Sequence, residues 1–140
     1  MIGAMPVLAV LALAGAGAVG ALLRYLAGVA LPARRSLPWG VLLVNVVGSF
    51  VAGLCIAAID DPVLRLALVT GFCGGLTTFS THAVDTVRLA SGEIGAAGRA
   101  VAARWGLAVA NVAVTLALAL AAVLAGAAAG AAAGTALLGA

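Results

Sequence analysis

The sequence predicts an all-α membrane protein with four transmembrane helices per subunit, the third broken near its middle. Three observations predict it. The 140 residues are 66% hydrophobic and 8% charged, with a mean hydropathy of +1.31; a soluble domain carries roughly 25% charged residues and is about half apolar. Seven basic residues, all arginine, and four acids are scattered between long uncharged stretches. Finally, a glycine- and hydroxyl-rich run, Gly71-Phe-Cys-Gly-Gly-Leu-Thr-Thr-Phe-Ser-Thr-His82, interrupts one of those stretches. Irregular polar backbone at membrane depth survives only where it is buried in protein or lines a watery path.

A bilayer core of about 30 Å needs roughly 20 helical residues, and each span can be justified in turn. The first runs from about Pro6 to Val29 and stops at Pro32, with Arg34 and Arg35 beyond it. It is too long for a secretion-signal core, and no basic residue precedes Arg24. The second runs from about Pro38 to Ile59, with Trp39 as an interfacial anchor. The third follows Asp60-Asp61-Pro62, where Asp61 suits a cap and Pro62 a first turn. It continues to about Leu89, interrupted at Gly74-Gly75, and Ser91-Gly92-Glu93 forms a polar loop. The fourth runs from about Trp105 to Ala125, after an amphipathic lead-in carrying Arg99 and Arg104. Residues 1–125 make a single domain, and 126–140 form an Ala/Gly-rich tail that either extends the last helix or is disordered and is assigned no function.

Charge placement adds an orientation. Loops one and three hold Arg34, Arg35, Arg88, Arg99 and Arg104, whereas loop two holds Arg65. The positive-inside rule then puts both termini outside the cytoplasm. The pI of about 9.7 does not indicate nucleic-acid binding, because the arginines are dispersed and form no phosphate-binding patch. Cys55 and Cys73 lie in apolar helical stretches without metal-ligand spacing, as expected of reduced, packed thiols.

Few residues within the spans can carry chemistry. Asn45 and Ser49 lie one turn apart, with Gly48 between them and Gly53 further along, on one helix face. Such a face suits close helix packing, and a mid-span amide equally suits a polar path. Arg24, the only charge well inside an apolar span, either snorkels to the nearby helix end or lures anions to a pore mouth. Thr77, Thr78, Ser80 and Thr81 supply hydroxyls after the glycines. A broken helix there would expose carbonyls to a cation and amides to an anion. Phe79 either packs in a core or turns its electropositive ring edge toward a small anion. His82 is either a hydrogen-bonded packing residue or a titratable pore residue, and a lone histidine argues against a metal site.

Absences narrow the choice. No carboxylate sits in the middle of spans one, two or four, as a proton-coupled cation or drug pump would require. No nucleophile stands beside a base, so the chain is not expected to be an enzyme.

Three stretches carry a recognisable pattern: Gly20-Ala-Leu-Leu-Arg24-Tyr25, Trp39-Gly-Val-Leu-Leu-Val-Asn45-Val-Val-Gly48-Ser49-Phe50, and the run from Gly71 to Thr81. In order and spacing they resemble the CrcB/Fluc family of small fluoride channels. The resemblance implies an antiparallel, dual-topology dimer of four-helix subunits with two fluoride pathways, a passive exporter of cytoplasmic fluoride in the cell membrane. It implies that Asn45, Phe79, Ser80 and Thr81 line a fluoride pathway and matches Arg24 to the family's first-span arginine; from their own chemistry Arg24 and His82 are further candidates for that pathway. Gly74 and Thr77 would give backbone carbonyls to a central Na+ shared between subunits. Asp85 falls where the family usually has an acid, and Asn111 or Thr115 would supply a fourth-span polar residue. The physical logic agrees: fluoride is strongly hydrated, and a pore must replace its water with hydroxyl and amide donors without trapping it on a fixed charge.

One position departs from the family pattern. Members typically carry a second Phe where this chain has His82, and each pathway combines the first Phe of one subunit with the second of the other. A homodimer would alter both pathways, whereas a Phe-containing, oppositely inserted partner would keep one intact. The arginine bias points the same way, so a heterodimer is expected over a homodimer. The rival readings are a small multidrug-type antiporter and a non-conducting membrane subunit.

Overall fold

The computed structural model describes residues 7–32, 37–95 and 98–138; Arg34 and Arg35 lie outside the described residues. Its elements are α1 (Val7–Ala30), α2 (Trp39–Ala58), α3 (Pro62–Arg65), a π-helical segment (Leu66–Cys73), α4 (Gly74–Leu76), α5 (Ser80–Ser91) and α6 (Val101–Leu138). No strand occurs among the described residues. Four stretches are long and apolar enough to cross a bilayer: Val7–Ala30, Trp39–Ala58, Pro62–Ser91 and Val101–Gly134. The protein is thus a multi-pass membrane protein. Large apolar side chains such as Leu8, Leu11, Leu22 and Leu120 are exposed, which a hydrocarbon solvent tolerates and water does not.

Helix ends follow from local chemistry. Asp61 Oδ1 accepts from the Leu64 amide at 2.7 Å, and Pro62 opens the first turn, where its missing N–H costs nothing. Gly92, at φ 85°, closes α5 in the left-handed conformation, which glycine adopts without a Cβ clash. Arg104 Nη1 donates to the Ser91 carbonyl at 2.9 Å, placing a cation at the negative end of α5.

The third span corrects one expectation. Gly74 and Gly75 are helical, and the helical run ends only at Leu76 and resumes at Ser80. The glycines serve close approach instead. A methyl at Gly75 would overlap the Gly17 carbonyl, and one at Gly71 would sit 2.7 Å from the Leu13 oxygen. They let α1 lie backbone to backbone on the half-span 62–76, as small residues do where no hydrophobic force drives helices together.

The fourth span starts earlier and ends later than the apolar pattern suggests. α6 begins at Val101 rather than Trp105 and continues through the Ala/Gly tract to Leu138. Alanine favours the helix, and the glycines form a second seam. A methyl at Gly126 would overlap the Phe50 carbonyl, one at Gly130 would meet the Leu54 oxygen at 2.6 Å, and one at Gly53 would overlap the Val123 carbonyl. Gly126→Leu is therefore expected to lower the unfolding temperature in detergent, costing about 1–3 kcal/mol or more through overpacking. Gly134→Leu, where a Cβ meets nothing within 4 Å, should leave it unchanged.

The remaining contact sets the site. α5 turns His82, Asp85 and Leu89 inward, and buried Ala108, Asn111 and Thr115 stand on α6. Cys55 and Cys73 are buried free thiols.

Candidate functional site

Residues 77–79 leave the helix, with Thr77 extended at φ −78°, ψ 157°, so their backbone groups need partners from elsewhere. Asn45 supplies two of them. Its Oδ1 accepts from the Thr78 amide at 2.8 Å, and its Nδ2 donates to the Thr78 carbonyl at 3.1 Å. This amide clamp satisfies both polar atoms of one peptide residue and leaves one Nδ2–H free. Arg24 supplies the next: Nη1 donates to the Thr77 carbonyl at 3.1 Å. The guanidinium therefore reaches inward to the interruption instead of snorkelling outward.

The hydroxyls are ordered by Thr78. Its Oγ1 accepts from the Thr81 amide at 3.2 Å, meeting one orphan donor at the start of α5. It donates to Thr81 Oγ1 at 3.0 Å and lies 3.4 Å from Ser80 Oγ. The Thr81 proton thus remains free to donate. Thr77 Oγ1 is spent on the Cys73 carbonyl at 2.9 Å.

Thr78 also stands between two cavities. The larger, about 380 Å³, has Arg24, Tyr25, Val44, Thr78 and Thr81 in its wall. The smaller, about 240 Å³, has Asn45, Ser49, Thr78, Phe79, His82 and Thr115. Phe79 is 82% exposed, so within one subunit its ring meets lipid or a neighbouring protein.

Behind the smaller cavity lies a buried network. Thr86 Oγ1 donates to the His82 carbonyl at 2.8 Å, and Asn111 Nδ2 donates to Thr86 Oγ1 at 2.8 Å and lies 3.3 Å from His82 Nδ1. His82 Nε2 is buried without a partner among the described residues. Asp85, also buried, meets Arg88 Nη1 at 3.9 Å, and Arg88 Nε bonds Glu93 at 3.2 Å.

The structure therefore divides the residues singled out in the sequence. Asn45, Phe79 and His82 share the smaller cavity, and Arg24 and Thr81 the larger. Ser80 is exposed and appears in neither wall. Of the two fourth-span candidates, Thr115 is in a cavity wall while Asn111 stands behind His82. The sequence offers Thr78 only as one hydroxyl among several, yet it is the hub. Ser49 joins the wall because it sits one turn from Asn45, a spacing visible in the sequence.

A family model described as "CrcB-like protein, Camphor Resistance (CrcB)" matches residues 11–127. The chain is 48% identical over 79 residues to a protein of Yersinia pseudotuberculosis serotype I (strain IP32953) named fluoride-specific ion channel FluC 1. That match covers 52% of this chain and 62% of the relative, so the chain spans less than two thirds of that protein. A protein of Pseudomonas aeruginosa (strain UCBPP-PA14) named fluoride-specific ion channel FluC is 45% identical over 100 residues, covering 66% of this chain and 79% of the relative. One of Pseudomonas paraeruginosa (strain DSM 24068 / PA7), with the same name, is 43% identical over 104 residues, covering 69% and 82% respectively.

Proposed function

The chain belongs to the CrcB-like protein family, and from that premise we propose that it forms a passive, fluoride-selective channel that lets cytoplasmic fluoride leave across the cell membrane. The observation that carries this reading is the interruption at 77–79, clamped by Asn45 and Arg24 between two cavities. Curated relatives named fluoride-specific ion channels support it.

The chemistry follows from donors and their spare protons. Fluoride must shed water, and each lost hydration contact needs a replacement. Arg24 draws the anion toward the larger cavity, where the free Thr81 proton meets it. Asn45, through its uncommitted Nδ2–H, and the hydroxyls of Ser49 and Thr115 continue the donor path in the smaller one. Ser80, exposed beside Thr78, joins the path once a second subunit covers it. Phe79 offers its ring edge as a weak electropositive contact. Neutral donors hold the ion loosely enough for it to leave.

The Na+ implied by the family resemblance suits the carbonyls of Gly74 and Thr77. They are hard oxygen donors, and the Thr78 amide that would close a helical turn onto Gly74 is taken by Asn45. Gly74 is exposed. Arg24 uses one lone pair of the Thr77 carbonyl and leaves the other. One chain gives two such oxygens, so a second subunit supplies the rest. Bound there, the ion would contribute a fixed positive charge between subunits.

The exposed Phe79 ring likewise calls for a covering subunit. We place an oppositely inserted family member there, with Phe at the position of His82, ahead of a second copy of this chain. Vesicles containing the full chain, with and without such a companion, are expected to release loaded fluoride to an electrode whatever the proton gradient, fastest with the companion present. Absence of release from both preparations would overturn the channel reading; robust release without the companion would overturn the heterodimer.

A further inference from the structure

Between α5 and α6, two further cavities of about 370 and 330 Å³ adjoin and share Thr86, Trp105 and Ala108. Together they make one groove that runs down α6 from Trp105 to Ala113. At 1.5 Å per helical residue that is about 12 Å, close to one leaflet of an about 30 Å core. Its upper end stands at the membrane surface. Leu37, just ahead of α2, packs there on the cluster of Leu89, Ile94 and Ala108, and Trp105 is exposed, as an interfacial ring is. The groove offers no free hydroxyl proton. Thr86 Oγ1 donates to the His82 carbonyl at 2.8 Å and accepts from Asn111, and Ser91 Oγ donates to the Arg88 carbonyl at 3.1 Å. Hydrocarbon therefore suits it better than an ion, water or an extended peptide.

The mouth of the groove is cationic. Arg104 Nη1 donates to the carbonyl of Ser91, itself in the groove wall, through an exposed hydrogen bond of 2.9 Å. That bond uses one of the five guanidinium donors. Arg99, just ahead of α6, is exposed. Among the described residues every ion pair belongs to Arg88, so neither Arg99 nor Arg104 has a carboxylate there. We propose that the α5–α6 groove binds a membrane phospholipid of net negative charge, one acyl chain lying from Ala108 to Ala113 and the headgroup phosphate on Arg104, with Arg99 adding attraction. Trough and cations match the two ends of such a molecule, whereas a second protein helix would have to bring acids of its own. By the positive-inside rule this face is cytoplasmic, and anionic lipids are concentrated in that leaflet. The site lies apart from the two cavities at the interruption and stands whether or not the chain conducts fluoride.

The chain has two tryptophans, Trp39 and Trp105, so the full chain with Trp39→Phe reports from the groove mouth alone. In vesicles, bromine on a phospholipid acyl chain quenches the fluorescence of a tryptophan that it touches. Brominated phosphatidylglycerol should bind beside Trp105 about twentyfold more tightly than brominated phosphatidylcholine. Each arginine supplies about fivefold, the factor equivalent to about 1 kcal/mol per arginine near an anionic headgroup. Arg99→Gln and Arg104→Gln should each remove about fivefold of the preference, and Arg65→Gln, which follows the other loop face, should remove none. Arg99 is exposed and outside every helix, so its substitution keeps the test valid if Arg104→Gln loosens the end of α5. Ala113→Phe, at an exposed position in the groove wall, should fill the trough and reduce the preference to that of the bulk membrane. A preference kept in full by Ala113→Phe would show surface attraction without a groove and overturn the site. Equal quenching by the two lipids, a preference untouched by both arginine substitutions, or a Trp105 shielded from both lipids by a second subunit would overturn it as well.

Discussion

Asn45→Leu should abolish fluoride release and lower the unfolding temperature of the protein in detergent. The side chain meets both backbone polar groups of Thr78, accepting at 2.8 Å and donating at 3.1 Å. Leucine has similar volume and no polar atom, so the Thr78 amide and carbonyl would both be orphaned in an environment without water. Each such group costs about 1–3 kcal/mol, so the pair costs roughly 2–6 kcal/mol. The Thr78 hydroxyl, which orders Thr81 and the start of α5, would move with its backbone. Asn45→Asp divides the effect: it keeps the acceptor for the Thr78 amide but turns a carboxylate oxygen toward the Thr78 carbonyl and the anion. It should fold better than the leucine variant and conduct no better. Wild-type stability together with wild-type efflux in Asn45→Leu would show that the clamp is dispensable.

Phe79→Ile is expected to leave folding intact and to reduce fluoride efflux up to about tenfold, as loss of a contact worth roughly 1.4 kcal/mol implies. The ring is 82% exposed within the subunit, so its loss leaves no internal cavity, and an unfolding curve like that of the wild type is expected. What isoleucine removes is the electropositive ring edge beside Asn45, Thr78 and His82. Matched efflux and unfolding measurements therefore separate a pore role from a packing role. Undiminished efflux would mean that the ring is no part of the pathway.

The contrast between Asn45 and the glycine pair indicates how far residues alone carry the reading. Hydropathy and length place the C-terminal end of α1 and both ends of α2 within a residue or so, because each apolar run is bounded there by proline or a charge. The Asp61 cap and Pro62 first turn are also visible, since both act within a single turn of chain. The Gly74-Gly75 pair misleads. Glycine marks either a weak helix or a close helix contact, and the sequence does not say which; the Gly17 carbonyl across the interface decides for contact. The Ala/Gly tract is ambiguous for the same reason, because alanine favours the helix by about 1 kcal/mol over glycine. There, α2 against Gly126 and Gly130 tips the balance to a continuous α6.

Composition and the run from Gly71 to Thr81 determined by themselves that this is a membrane protein of four apolar spans related to CrcB proteins. Both signals are written along the chain, in hydropathy and in residue spacing. Which polar atoms are spent and which remain free was decided only by the tertiary structure. Asn45 and Thr78 stand 33 positions apart, Arg24 and Thr77 stand 53, and Asn111 and His82 stand 29. Their pairings depend on how glycine seams let helices approach, and a hydrogen bond between distant residues leaves no trace in local pattern.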